Sequence, residues 1–488
     1  MSLLDRLGSV FKGPEELNLT GGGIGRPLFY LSLPIVITNL LQTAYNLADT
    51  FWLGQYSTEA LAAISFGFPM VFLLISLGMG ISIAGSVLVA QHIGADEEAE
   101  AEYAASQTVS FATIGSIILG SIGFIAVGPF IEFLGASPEV LPLATNYMQV
   151  IAAGLPFMFG FFVFIALMRG YGDTVTPMLV MFGSVVLNIA IDPFLIFGFE
   201  GNPLFSMLGL GGLEATLLTL TGYTGSGITG AAIATIFSRA LAFVVGIAIM
   251  FQGIRGVRIR PSQMRPNFQY LRKLLEIGAP ASVEVTGRAL SVNLLLLVVG
   301  LFPTPVVAAF GIGTRVFSVI FLPAIAVARG VETMTGQNIG AQKPERAGMA
   351  ADFAAKWTLI ILSAVGALTL FFPRTIIAIF TNDPEVITVG ADFLRLVAPT
   401  FGFIGVMRAY SGSFRGAGKT LIAAAISVIM LGLIRIPVAY VASQSYGSTG
   451  IWLAFPISNV AGALIAYTWY RRGTWRTGSV RGPTPADD

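Results

Sequence analysis

Two acids draw attention first because of where they lie. Asp49 falls inside the apolar stretch "TNLLQTAYNLADTFWLG" (38–54) and Asp192 inside "VVLNIAIDPFLIFG" (185–198), with no basic residue in either stretch. On a helix, Asn188 precedes Asp192 by one turn and shares its face, and Tyr45 stands in the same relation to Asp49. Thr235, in a third apolar run, reaches a similar depth if that run crosses in the opposite direction. Carboxylate, amide and hydroxyl oxygens gathered in this way make a hard-oxygen cluster that suits Na⁺. Alternatively, two crowded carboxyls in a dry site share a proton, which makes the pair a proton carrier. The bland alternative is interhelical hydrogen bonding that only holds helices together.

A second stretch, "SGSFRGAGKTLI" (411–422), looks like a phosphate cradle because it ends in Gly-Lys-Thr. A nucleotide-binding loop needs Gly where Ser413 stands and a buried strand before it. Here the loop joins two apolar runs, and the related "MRGYGDT" (168–174) puts Asp173 where the Lys would be. Both read as tight Gly-rich turns at a membrane surface, so no nucleotide partner is expected. The absence of Cys and the single His, His92, exclude thiolate chemistry and multi-His metal centres. No Ser/His pair or HExxH run suggests an enzyme, and no cofactor is implied.

The elements that must position these acids follow from composition. Of 488 residues, 55% are hydrophobic and only 11% charged, with mean hydropathy +0.80. That is too little polar surface for a water-soluble body, so a lipid bilayer is the expected surrounding. Net charge is +1, which gives no reason to expect nucleic acid. Apolar runs fall near 26–53, 61–91, 104–129, 141–168, 174–199, 228–251, 273–301, 305–334, 350–372, 388–414, 420–442 and 449–470. Each can span about 30 Å of hydrocarbon as a helix, and helices are required because amides in lipid must be paired within their own segment.

The runs form two copies. "AQHIGA" (90–95) recurs as "GQNIGA" (336–341), "FLGASPEV" (133–140) as "IFTNDPEV" (379–386), "MRGYGDT" as "FRGAGKT" (414–420), and Pro34 matches Pro280. All four pairs are 246 residues apart. The expected fold is therefore an all-α membrane protein of twelve transmembrane helices in two parallel, pseudo-symmetric six-helix bundles. An N-terminal tail (1–25) without signal-peptide character precedes an N lobe (26–252) carrying an insertion at 202–226. A basic linker (253–272), a C lobe (273–470) and a C-terminal tail (471–488) follow. Alternate loops and the tails hold eighteen Lys/Arg against one, Arg374, on the other side, which predicts cytoplasmic termini in a plasma membrane. In that orientation Asp49 and Asp192 both lie about 35 Å along their helices, near the outer side.

The second copy has neither acid: Asp49 aligns with Leu295, and Asp192 falls near Ile436 and Arg435 after a two-residue slip. This asymmetry favours a functional role over a structural one. In the C lobe, Glu284 and Arg288 are one turn apart and are expected to satisfy each other, making them secondary candidates. Arg395, Arg408 and Arg435 make that lobe's interior basic, either lining an anion-tolerant cavity or anchoring interfaces. His92 reads as a polar helix end, and the five acids of "ADEEAEAE" (95–102) as solvated. The 202–226 insertion lies in the interface or caps a lobe. Pro34 interrupts the hydrogen bonding of the helix that carries Asp49 and so offers a bending point.

"NLADTFWLG" (46–54), "MRGYGDT", "VLNIAIDPFLIFG" (186–198) and "GAAIATIFSR" (230–239), together with the two parallel repeats, resemble the multidrug and toxic compound extrusion (MATE) family. The likeness is to its archaeal, DinF-like members and covers nearly the whole chain. It implies a secondary antiporter exporting amphipathic, cationic organic compounds in exchange for H⁺ or Na⁺ by alternating access, acting as a monomer. It further implies that Asp49, Asn188 and Asp192 form the cation site, with Thr235 and Tyr45 assisting, and that Gln42, Tyr147 and Met181 line the substrate cavity. Other members couple through C-lobe acids on helices seven and ten. This chain offers Glu284 on helix seven but, on helix ten, only Asp392 near its outer end, which favours the N lobe. A flippase for lipids or lipid-linked sugars is the alternative reading, and an ion channel a weaker one, since the polar residues cluster rather than line a continuous path.

Overall fold

The computed structural model describes residues 17–478 and is all-helical, with no strand among them. The N lobe contains α1 (Gly25–Tyr56), α2 (Thr58–Gly94), α3 (Glu98–Phe133), α4 (Val140–Ala153), α5 (Leu155–Tyr171), α6 (Val175–Phe197) and α9 (Gly227–Gln252). Two short helices, α7 (Pro203–Met207) and α8 (Gly211–Thr221), occupy the insertion. The C lobe contains α10 (Phe268–Val299), α11 (Thr304–Gly340), α12 (Pro344–Phe371), α13 (Pro373–Ala378), α14 (Pro384–Val397), α15 (Phe401–Gly416), α16 (Thr420–Val428), α17 (Ile436–Tyr446) and α18 (Ser448–Arg471). α4 and α5 form one span bent by 53° around Gly154, which brings the number of membrane-crossing spans to twelve. α16 and α17 are likewise one span, joined through a π-helical stretch, Ile429–Arg435.

Both ends of the described chain lie at the same end of the molecule, called here the termini end. Neither is a loose tail. Arg346 donates to the carbonyls of Leu19, Gly21 and Gly22, and Asn338 Nδ2 donates to Leu19 O. Gln91 Nε2 donates to Gly478 O. Residues 1–16 and 479–488, the outer parts of the expected tails, lie outside the described residues. The basic linker is also docked: Gln107 of α3 donates to Gln263 O and Arg265 O and accepts from Asn267 N.

The two lobes meet through α1 and α2 on one side and α10 and α11 on the other. Their crossing at the termini end is two-fold in character. Gln91 Nε2 donates to Gly416 O at 3.0 Å, and its counterpart Gln337 donates to Gly170 O and Tyr171 O at 3.2 and 3.0 Å. Backbone approaches backbone beside them: a Cβ on Gly94 would stand 1.9 Å from Gln337 O, and one on Gly340 the same distance from Gln91 O. Contacts continue to mid-height, where Ser76 and Thr286 hydroxyls lie 2.9 Å apart. Beyond that level α10 exposes Leu290, Val292, Leu294, Leu296 and Leu297 and buries Ser291, Leu295, Val298 and Val299. The lobes are thus closed at the termini end and parted toward the far end.

Of the two placements open to the insertion, the structure shows the cap: it covers the far end of α6. Buried Asn202 donates to Pro193 O and Gly198 O, Glu214 accepts from Asn202 N, and Phe205 packs against Phe194 and Phe199. One expectation needs correction: the acids of 95–102 are not all simply solvated, since Glu97 meets His92 at the end of α2 at 2.7 Å and the docked linker brings Arg260 within 2.6 Å of Glu102. α1 runs as one helix through Pro34.

The two Gly-rich turns do what their sequence suggests, with Gly172 and Gly418 at φ +112° and +75°, a region that favours glycine. Asp173 caps α6 by accepting from Val175 N and Thr176 N, both at 2.9 Å.

Candidate functional site

α1, α6 and α9 pack against one another in the N lobe, and their facing polar residues meet in the far half of the bundle. Asp49 is 6% exposed, while Asn188 and Asp192 are fully buried. Asn188 Nδ2 donates to Asp192 Oδ1 at 3.1 Å, one turn along α6 as the spacing requires. Thr235 Oγ1 donates to Asp49 Oδ2 at 3.4 Å. The two carboxyls are close enough to interact side chain to side chain. Four buried oxygens here have no hydrogen-bond partner: Tyr45 Oη, Asp49 Oδ1, Asn188 Oδ1 and Asp192 Oδ2. Polar atoms left so in an apolar interior are costly, and the set matches the ligand chemistry of a hard monovalent cation or a shared proton.

The cavity residues named from the resemblance surround this cluster, and their organiser is a residue that sequence reasoning passed over. Arg239 of α9, one turn after Thr235, is 2% exposed. Its Nη2 donates to Gln42 Oε1 at 2.8 Å and its Nη1 lies 2.9 Å from Met181 Sδ. The guanidinium stacks on Tyr45 at 4.5 Å and on Phe161 at 5.4 Å. Tyr147, on α4, is buried close to Asp49, Tyr45 and Asp192. The signal was available: an arginine mid-span with no acid three or four positions away must find its partners on other helices.

The C-lobe candidates resolve differently. Glu284 does face Arg288, but at 3.6 Å; its principal partner is Arg415, whose Nη1 donates to both carboxylate oxygens at 2.9 and 3.1 Å. Arg415 Nε also donates to Glu332 Oε2 at 2.8 Å, and Arg329 meets the same oxygen at 2.9 Å. The expected local pair is therefore part of a buried network centred on the arginine of "FRGAGKT". It was missed because its members are far apart in sequence. Arg395 pairs with Asp392 in a half-exposed position, so it does not line the interior. Arg435 is buried and donates to Ser458 and Asn459. Among the described residues no group of three or more His, Asp or Glu lies together as a metal centre.

The MatE family model matches twice, at residues 34–194 and 280–441. The FAD transporter of Shewanella oneidensis is 28% identical over 93% of this chain and 96% of its own. A Bacillus subtilis protein named "Probable multidrug resistance protein YoeA" is 26% identical over 92% and 94%. The crystal structure of the Vibrio cholerae MATE transporter VcmN in the bent form superposes with TM-score 0.82 at 21% identity, covering 93% of this chain and 98% of that one. The doubled family match covers most of the membrane body: the chain belongs to the MatE family of multi-pass membrane transporters and is not an enzyme.

Proposed function

We propose that the protein is a secondary antiporter that exports amphipathic, cationic organic compounds in exchange for H⁺ or Na⁺. The observation that carries this reading is the convergence of Asp49, Asn188, Asp192 and Tyr45, each with an unpartnered buried oxygen, at one point in the N lobe. Thr235 completes the donor set. Gln42, Tyr147, Met181 and Arg239 form the adjoining substrate wall. With cytoplasmic termini in the plasma membrane, the far-end opening faces outside and admits the coupling cation. Cation binding neutralises the acid pair, shifts the packing of α1 about Pro34 and releases substrate; the lobes then rock about the axis between the two copies.

The energetics need no nucleotide. One charge moved through 100 mV is worth about 2.3 kcal/mol. A one-for-one exchange of monovalent cations cancels that contribution and leaves the ion gradient, about 1.4 kcal/mol per tenfold ratio. The flippase alternative rests on a C-lobe interior made basic by Arg395, Arg408 and Arg435; Arg395 is neutralised by Asp392, which leaves Arg408 and Arg435 to carry that reading. Reconstituted vesicles test the proposal: uptake of a fluorescent organic cation is measured under a proton gradient and, separately, a sodium gradient. Asp49→Asn and Asp192→Asn should each abolish gradient-driven uptake. Wild-type rates in both variants would remove the coupling role.

A further inference from the structure

The C lobe contains a cavity of about 230 Å³ lined by Ser291, Leu295, Phe310, Arg315, Arg435 and Phe455, among others. It is the repeat counterpart of the N-lobe acid cluster. Ser291 and Leu295 are 246 positions beyond Tyr45 and Asp49. "GITG" (227–230) and "GSTG" (447–450) set the register of the last helix in each lobe, which pairs Phe455 with Thr235 and Asn459 with Arg239. Arg435 falls beside the position equivalent to Asp192. The C-lobe copy of the site has therefore lost both acids, and two bases, Arg435 and Arg315, line its cavity instead.

The guanidinium of Arg435 is held for use. Its Nε donates to Ser458 Oγ at 2.8 Å and its Nη2 to Asn459 Oδ1 at 2.7 Å, while its face stacks on Phe455 at 4.5 Å. Nη1 makes none of these bonds, and the side chain is 7% exposed. Among the described residues neither Arg435 nor Arg315 has an ion pair. An unneutralised cation in an apolar interior is costly unless something compensates it. Arg435 also ends the π-helical stretch, a backbone irregularity frequent at functional sites.

We propose that this pocket binds the acidic group of a small aromatic anion, the charge-inverted counterpart of the N-lobe cation site. Arg435 and Arg315 receive the acid, and Phe310 and Phe455 flank the ring. The volume is below the 300–1,000 Å³ or so of drug-sized sites, so the ligand is fragment-sized, with one or two fused rings. The inference stands independently of the coupling mechanism.

The test uses the full chain in lipid nanodiscs, titrated calorimetrically with naphthalene-1-sulfonate and with its neutral analogue naphthalene-1-methanol. Wild type should prefer the sulfonate. Arg435→Gln and Arg315→Gln should each weaken sulfonate binding by about tenfold or more, the scale of a charge-assisted hydrogen bond, and leave the neutral analogue unchanged. Arg315 is exposed, so its variant reports binding even if Arg435→Gln folds poorly. Asp49→Asn should bind the sulfonate as wild type does, which separates this proposal from the antiport reading. Equal affinity for sulfonate and alcohol in wild type, or a preference that survives both glutamine variants, would overturn it.

Discussion

Alanine at Gly340 should push the two lobes apart where they now touch. Its Cβ would stand 1.9 Å from Gln91 O, and the obstacle is backbone rather than a side chain that can swing away. Ordinary contact begins at 3.4 Å, so α2 and α11 must separate by about 1.5 Å at this level, and a hydrogen bond of 3.0–3.2 Å does not survive such a stretch. Three are at stake: Gln91 to Gly416 O, and Gln337 to Gly170 O and Tyr171 O. At about 1 kcal/mol each, the closed termini end loses about 3 kcal/mol, which is about a hundredfold in the equilibrium between the two openings. Gly94→Ala should act equally, since it meets Gln337 O at the same distance.

Because the chain has no native Cys, two spin labels can be placed without background. Leu47→Cys on α1 and Leu297→Cys on α10 are suitable, being 65% and 70% exposed near the far opening. Pulsed electron–electron resonance should give a longer separation in the parent and a population shifted to shorter separations in Gly340→Ala. If the distribution is unchanged while thermal stability is also unchanged, the crossing is not what holds the termini end closed. If stability falls and the distribution does not move, the glycine serves packing alone.

Arg415→Met leaves Glu284 and Glu332 buried without their shared partner and should cost about 3–5 kcal/mol, read as a fall in thermal unfolding temperature. Arg395→Met, which removes a half-exposed pair with Asp392, should cost under about 1 kcal/mol; equal losses would contradict the burial argument. Asp173→Ala removes the cap of α6 and should destabilise by about 1 kcal/mol, visible as faster amide exchange at Val175 and Thr176 and nowhere in α16. Arg239→Gln removes the cation beside the acid cluster, so an organic cation dye should bind the N lobe more tightly in a fluorescence titration. Weaker binding would mean that Arg239 contacts the ligand directly.

The fold could be read from the chain because two strong constraints act on it. Lipid enforces helices, and the constant 246-residue spacing enforces two copies. Helix ends fell within about six residues of the expected spans, but the interruptions inside spans, the bend at Gly154, the 3-10 turn at Ala398–Thr400 and the wide Ile429–Arg435 stretch, were not foreseen. None of these features changes hydropathy, so none shows in it. The acid cluster was legible since its key relations are local, Asn188 to Asp192 and Tyr45 to Asp49, and depth supplied the rest. Arg239, Glu332 and Arg415 were not, because their partners lie on other helices at unrelated sequence distances. A local reading gives Glu284 the nearest base, Arg288, at 3.6 Å, whereas the fold brings Arg415 Nη1 within 2.9 and 3.1 Å of its two oxygens.

The two copies have diverged unevenly, and the pattern has a physical reason. Where the lobes touch each other, each copy's surface is the other's partner. Gln91 and Gly94 act on the second copy as Gln337 and Gly340 act on the first. A change in one breaks a contact whose mirror image still requires the original, so an approximately two-fold crossing keeps both sides alike. No such restraint applies inside a lobe. Asp49 and Asp192 contact residues of their own bundle, and Leu295 and Arg435 contact theirs, so each pocket is free to follow its own ligand. The rocking proposed above fits this combination: a crossing that both lobes share, and interiors that differ in charge. Exchanging the interiors should therefore leave the crossing intact. A chain carrying Leu295→Asp with Arg435→Asn should still close at the termini end by the spin-label measurement while losing sulfonate preference. Loss of closure would show that the pockets and the crossing are not separable.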